Sequence, residues 1–208
     1  MFKTILLATT SAGKFREIKE FFSKDSYIFQ SLAKSGIQPP LEDKFTFLEN
    51  ALLKARNGAK HSGLPTIADD SGIMVPYLKG SPGIHSKRFA VENNRPATPE
   101  ENRSLLLELL EHTKGEQRRA SFYTIIVYME SADDPAPCFG AGRIWGHIAT
   151  ESRGDSGFGY DSIFIPDKHR KTMAEMTPEE KQKISHRSRA LKNLLASMMR
   201  TELAVAVK

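Results

Sequence analysis

The sequence predicts an α/β fold, a mixed β-sheet flanked by helices, and three observations carry that prediction. Thr4 to Ala8 is a short apolar run that gives way to a polar loop and then to helical spacing through Phe15, Ile18 and Phe22, which is the strand, loop, helix order of a layered α/β protein. Ala120 to Met129 is rich in aromatic and β-branched residues, and Phe139 to Ile148 follows the turn-forming segment Asp133-Asp134-Pro135-Ala136-Pro137. These two runs read as a central strand and an antiparallel partner. Elsewhere apolar residues recur at three and four positions, the spacing of amphipathic helices.

Taken in order, the first strand leads into Thr9-Thr10-Ser11-Ala12-Gly13-Lys14. Ser11 is placed to cap the following helix, whose first backbone N–H groups offer an anion a place to dock, with Lys14 nearby. An ordinary capped helix with a solvated lysine accounts for the same residues equally well. A Walker-type phosphate loop is excluded, because the glycine it needs five residues before Gly13-Lys14 is Ala8 here.

Phe45, Leu48, Leu52, Ala55 and Ala59 give the next helix one apolar stripe. Glu49 falls near its start and Lys54 roughly 140° further around the axis, so they either reach different parts of one site or are merely solvated. Thr66 to Ala68 and Ile73 to Val75 read as two short strands around Asp69-Asp70-Ser71-Gly72, with a turn at Lys79-Gly80-Ser81-Pro82-Gly83. Thr98-Pro99-Glu100-Glu101 has the form of a capping box opening the leucine-rich helix Leu105 to Leu110, and Thr177-Pro178-Glu179-Glu180 repeats the device. Ile184, Leu191, Leu195 and Met198 continue with helical spacing, and Ser185 could cap a new start among them, which leaves one helix or two open.

The 208 residues, 39% of them hydrophobic, suit a single domain over 1–208, of two closely joined lobes without a separable linker. A net charge of +5 favours anionic partners without distinguishing a nucleotide from nucleic acid or a membrane surface. The lone Cys138 excludes an internal disulfide, a CxxC redox pair and a cysteine-rich zinc site, and fits a reducing compartment. The N-terminal apolar run is too short for a signal peptide and no stretch is long enough to span a bilayer, so a cytoplasmic protein is expected.

Three motifs can carry chemistry. Asp69-Asp70 falls at a strand end, where α/β proteins open toward ligands, and adjacent strand residues face opposite ways, so one carboxylate reaches a given site. With Glu49 that residue could hold Mg²⁺, which takes oxygen ligands and bridges phosphate oxygens; two aspartates in a turn are the plain alternative. Phe158 between Gly157 and Gly159 could stack on a base, or pack in a tight turn, and Asp161 adds an acceptor. His186-Arg187 offers donors suited to an oxo group or a phosphate, or lies solvated among Lys181, Lys183, Arg189 and Lys192.

Together these motifs resemble the inosine triphosphate pyrophosphatase family, the non-canonical purine NTP pyrophosphatases, or XTP/dITP diphosphatases. The resemblance runs in order through Thr9 to Lys14, Phe47-Leu48-Glu49-Asn50-Ala51 with Lys54-Ala55, Ala68 to Gly72, Gly80 to Gly83, Ser86 to Phe89, Gly157 to Asp161 and Ser185-His186-Arg187. It implies an elongated α/β fold with two lobes around a central nucleotide-binding cleft, usually a homodimer. It implies Mg²⁺-dependent hydrolysis of ITP, dITP and XTP to the monophosphate and pyrophosphate. By matching positions, Asp70 is the general base and a metal ligand with Glu49 and Asp69. Thr9, Thr10, Ser11, Ala12, Gly13, Lys14 and Lys54 handle the phosphates, with Ser71 beside the substrate. Phe158, Gly159, Tyr160, Asp161, Lys181, His186 and Arg187 form the nucleoside side.

The chain departs from the family in two places. Thr9-Thr10-Ser11 stands where Thr/Ser-Gly-Asn is usual, and Pro76 where an aspartate is usual. Two other functions fit parts of the pattern. A pyrophosphatase for other modified nucleotides would keep the phosphate and metal residues and change the base pocket. A basic RNA-binding protein would explain the charge and Phe158 but leaves Glu49, Asp69 and Asp70 without a role.

Overall fold

A computed structural model describes residues 3–23 and 27–206. Its sheet has six strands: β1 (Lys3–Leu7), β2 (Tyr27–Ser31), β3 (Thr66–Met74), β4 (Arg119–Met129), β5 (Cys138–Ile148) and β6 (Phe164–Pro166). The helices are α1 (Ala12–Phe21), α2 (Leu32–Ser35), α3 (Phe47–Ser62), α4 (Pro99–Leu109), α5 (Pro178–Ile184) and α6 (His186–Ala206), with short 3₁₀ turns between them. The strand order is β2-β1-β3-β4-β5-β6. β1 runs parallel to β2 and β3, and β5 antiparallel to β6, so the sheet is mixed as expected. The parallel side is where helices connect the strands, since a parallel pair cannot be closed by a tight turn.

The chain divides into two compact units, each built from segments distant in sequence. Unit 1 comprises residues 1–70, 124–142 and 186–208, and unit 2 residues 71–123 and 143–185. The core of unit 1 joins Ile5 and Leu7 of β1, Ile18 of α1 and Phe22 at its C-cap, Ile67, Ile126 and, from α6, Ala190, Leu191 and Leu194. That of unit 2 joins Ile73, Leu105, Leu106, Leu110, Phe122, Ile163 and Phe164.

Local sequence explains most boundaries. Ser11 caps α1, its hydroxyl accepting from Lys14 N–H, and Thr98 caps α4 with Pro99 at the first helical position. Thr177 and Glu180 form the expected reciprocal box before α5. The C-terminal stripe is two helices, because Ser185 adopts extended φ and ψ of −61° and 152° and breaks the helical path.

Two sequence expectations need correction. The buried face of α3 is displaced from the stripe expected at Phe45, Leu48 and Leu52: Phe45 is 90% exposed and precedes the helix, and the buried side chains are Phe47, Asn50, Ala51, Lys54, Ala55 and Ala59. Gly58 sets that face, since a Cβ there would lie 2.9 Å from Thr66 Cγ2 and 3.0 Å from Leu6 Cδ2, so the helix comes close to β1 and β3. The acidic motif is not a loop either. β3 runs unbroken from Thr66 to Met74 through Asp69, Asp70, Ser71 and Gly72. Gly72 belongs inside the strand because the carbonyl of Gly83 approaches it, to 2.1 Å from where a Cβ would be.

Candidate active site

Asp69 and Asp70, on successive residues of β3, take different partners, as the alternation of a strand requires. Asp69, whose side chain is fully buried, accepts an ion pair from Lys14 Nζ at 2.9 Å, and Arg187 Nη2 lies 3.8 Å from the same oxygen. Asp70 Oδ1 accepts from Lys54 Nζ at 2.9 Å, and Lys54 also lies 3.4 Å from Glu42. The Asp70 backbone is held by Thr124, whose hydroxyl donates to its carbonyl at 3.0 Å. The second carboxylate oxygen, Asp70 Oδ2, is buried with no hydrogen-bond partner among the described residues, and such an oxygen is costly unless a ligand or ion meets it.

The charges perturb one another. Burial pushes the Asp70 carboxyl above its ordinary value, against the attraction of Lys54 and Lys14. Burial opposes the charge on Lys54 too, but Asp70, Asp69 and Glu42 outweigh it and hold Lys54 above the usual lysine value. Lys14 moves the other way: burial lowers it, and the neighbouring Lys54 and Arg187 add to the fall against the pull of Asp69. Burial and mutual attraction thus act against one another throughout this cluster, and perturbed groups of this kind gather where a protein meets a charged ligand.

The loop 9–13 brings backbone groups to the start of α1. Thr9 Oγ1 accepts from Ser11 N–H at 3.2 Å, Thr10 and Ala12 are exposed, and Gly13 is half-buried. Arg187 is buried at the start of α6, where Nη1 pairs with Glu17 Oε2, and His186 beside it is also buried. The start of α6 is clamped by glycines of β5: a Cβ on Gly142 would lie 1.9 Å from the His186 carbonyl oxygen, and one on Gly140 2.2 Å from that of Ala190.

Unit 2 holds the second constellation. Gly157 and Gly159 have left-handed φ of 80° and 61°, and a Cβ at Gly157 would meet Asp161 Oδ2 at 2.2 Å, so the turn needs glycine. Asp161 Oδ2 accepts from Phe158 N–H at 2.9 Å and from Lys181 Nζ at 2.8 Å. Lys181, from α5, also lies 4.7 Å from the centroid of the half-buried Phe158 ring, a cation–π contact. Tyr160 donates its hydroxyl to the Ser86 carbonyl at 2.9 Å, and burial raises its pKa well above the usual phenol value. Ser71 follows Asp70 on β3 and is half-buried.

The structure thus brings Lys14, Lys54, Asp69, Asp70 and Arg187 into one charged network, and Phe158, Asp161 and Lys181 into another. Glu49 is in neither as a charged partner: it is exposed at the first turn of α3, where its carboxylate accepts from the Thr46 hydroxyl at 2.7 Å. The sequence reading missed Glu42 and Glu17. Glu17 lies three residues after Lys14, on the same face of α1, and that spacing was a usable signal. Glu42 lies in an irregular segment without periodicity, where no signal existed.

A buried carboxylate–lysine network at a capped helix start, and an aromatic between left-handed glycines, are features able to meet an anion and a planar ring. Comparison with known proteins is specific: residues 5–197 match the Ham1 family, and the chain belongs to that family. It is 46% identical over 191 residues to the dITP/XTP pyrophosphatase of Thioalkalivibrio sulfidiphilus, covering 92% of this chain and 96% of that protein. It is 44% identical over 194 residues to the dITP/XTP pyrophosphatase of Escherichia coli O157:H7, covering 93% and 97%. The structure of a HAM1 protein from Coxiella burnetii superposes with a TM-score of 0.84 at 40% identity, covering 97% of this chain and 100% of that one. The Staphylococcus aureus Ham1 protein gives 0.79 at 37%, covering 96% and 100%. The family resemblance read from the motifs is borne out.

Proposed function

We propose that this chain hydrolyses non-canonical purine nucleoside triphosphates, dITP, XTP and ITP, to the monophosphate and pyrophosphate. The relatives named dITP/XTP pyrophosphatase, matched over more than nine-tenths of the chain, support the activity. The observation that carries the mechanism is Asp70 itself: a buried carboxylate with one oxygen on Lys54 and the other with no hydrogen-bond partner among the described residues.

In this reading Asp70 Oδ2 orients a water and takes its proton for attack at the α-phosphorus, so pyrophosphate leaves as one unit. A carboxyl displaced upward by burial is the better acceptor at neutral pH, because a base works best with its pKa close to the working pH. Lys14, Lys54 and the first N–H groups of α1 receive the triphosphate, drawing charge from the leaving group. Phe158 stacks on the base with Lys181 behind it, and His186 and Arg187 donate to the 6-oxo group, which adenine lacks.

Among the described residues no three His, Cys, Asp or Glu side chains converge on a metal position. Mg²⁺ on a nucleotide needs only one or two carboxylates, its other ligands being phosphate oxygens and water, and the Asp70 and Glu42 carboxylates, both beside Lys54, fit that demand. Asp70, with Glu42 across Lys54, would hold it, while Asp69 is committed to Lys14 and Glu49 to its helix cap. The ion would supply neutralisation of phosphate charge. A homodimer acting on the cytoplasmic nucleotide pool completes the proposal. Pyrophosphate release from ITP, XTP, dITP, GTP, ATP and dUTP, with and without Mg²⁺, tests it: turnover confined to dUTP, or none with any purine, would refute it.

A further inference from the structure

Three of the hydrogen bonds around the Phe158 turn have different origins, and two of them come from its own motif. Asp161 accepts from Phe158 N–H, and Tyr160 donates to Ser86. The third comes from α4: Arg103 Nη1 donates to the carbonyl of Gly159 at 2.8 Å, while Nη2 pairs with Glu100 at 2.8 Å. The Arg103 side chain is only 19% exposed, whereas that of Glu100 is 70% exposed. Arg103 is thus directed at the turn, and Glu100 trims its geometry from solvent.

We propose that Arg103 is a positioning residue for base binding, fixing the Gly157–Gly159 turn so that the Phe158 ring is held ready for the purine. This rests on the assignment of Phe158 to the base. The physical need is plain. Two left-handed glycines give the turn its shape but also the greatest conformational freedom when nothing restrains them. The Gly159 carbonyl lies next to Phe158 in the chain, and a guanidinium donor on it is a charge-assisted bond, stronger than a neutral one. With the tie, the ordering of the aromatic ring is already complete before substrate arrives; without it, binding must supply that ordering. The groups proposed for the chemistry, Asp70, Lys54 and Lys14, are held by one another and by Asp69, so the effect of Arg103 belongs to base affinity and not to the chemical step.

The test compares Arg103→Ala, Arg103→Lys and Phe158→Ala with the parent protein, by steady-state kinetics on ITP and by calorimetric titration of IMP and of inorganic pyrophosphate. Arg103→Ala is expected to raise the KM for ITP and the Kd for IMP about tenfold, the scale of one charge-assisted bond. Its kcat and its affinity for pyrophosphate should stay within about twofold, since those depend on other residues. Arg103→Lys should recover part of the loss, because an ammonium can reach the one carbonyl but not also Glu100. Unchanged IMP affinity in Arg103→Ala, alongside weakened IMP in Phe158→Ala, would overturn the role of Arg103 alone. Equal losses for IMP and pyrophosphate would overturn it too, by showing general loosening. Unchanged IMP affinity in Phe158→Ala would instead overturn the base-site assignment beneath it.

Discussion

Lys54 Nζ contacts one carboxylate oxygen of Asp70 at 2.9 Å, and the other has no hydrogen-bond partner among the described residues. In the proposed mechanism that division lets one side chain serve both as a fixed member of an ion pair and as the proton acceptor. Asp70→Asn keeps the shape and removes the charge, so turnover of ITP is expected to fall by about 10²-fold or more, the scale of a general base. Measured kcat on a variant with unchanged circular dichroism checks this, and near-normal turnover would remove Asp70 from the mechanism.

The direction of the Asp70 shift adds a pH signature. Because burial raises its carboxyl above the ordinary 3.8, the base becomes protonated, and activity is lost, at a higher pH than an ordinary aspartate allows as the solution is acidified. The acid limb of the kcat profile should therefore lie above that value in the parent and vanish from the residual activity of Asp70→Asn. A limb at or below it in the parent would contradict the assignment.

The Ser11 departure and Lys14 can be separated. Ser11 serves α1 through its cap, with the hydroxyl accepting from Lys14 N–H, so Ser11→Asn, another good cap, should change kcat/KM for ITP by less than about threefold. Lys14→Ala removes a cation from the proposed phosphate site and should lose about 1.5 to 3 kcal/mol in kcat/KM. Lys14 also has a lowered pKa, so its charge disappears at a pH below the usual lysine value, and KM should rise on the alkaline side earlier than an ordinary lysine predicts. A gain from Ser11→Asn with no loss from Lys14→Ala would reverse the roles.

What could be read from sequence follows the range of the interactions. Caps at Ser11, Thr98 and Thr177 are set within four residues, and all three form. The break at Ser185 is also local, yet a helical stripe continues across it, so only the backbone decides between one helix and two. The strand through Asp69 to Gly72 was hidden because its Gly72 suits a turn equally well; the carbonyl that demands glycine comes from Gly83, eleven residues on. The site shows the same limit. Asp69, Asp70 and Lys54 were visible by type and spacing, whereas the partner Glu42 and the tie from Arg103 depend on tertiary proximity.

Gly142 offers a structural test of how α6 presents its first residues. A methyl at this position would lie 1.9 Å from the His186 carbonyl oxygen and 2.6 Å from Ala190 N, both backbone atoms that cannot rotate away. Gly142→Ala should destabilise the fold by about 1 to 3 kcal/mol through overpacking and displace His186 and Arg187. Thermal unfolding and ITP kinetics together check it. A variant with unchanged Tm and unchanged kcat/KM would show that α6 can shift without cost.

Arg187 decides between two uses of the same guanidinium. Its pairing with Glu17 and its approach to Asp69 place it among the charged groups around Lys14, while the proposed recognition of the 6-oxo group asks it to donate to the base. Arg187→Ala discriminates between them. If the guanidinium reads the base, ITP loses about 1.5 to 3 kcal/mol in kcat/KM and ATP, which lacks the acceptor, loses much less. If it balances Asp69 and Glu17, both nucleotides lose by the same factor, and a partial rescue follows when Glu17→Gln removes the carboxylate left without its cation. The ITP to ATP ratio is therefore the quantity to measure. The expected outcome is a fall in that ratio, because the Arg187–Asp69 contact is long at 3.8 Å and Lys14 already neutralises Asp69 at 2.9 Å, so Asp69 does not depend on the guanidinium for its countercharge.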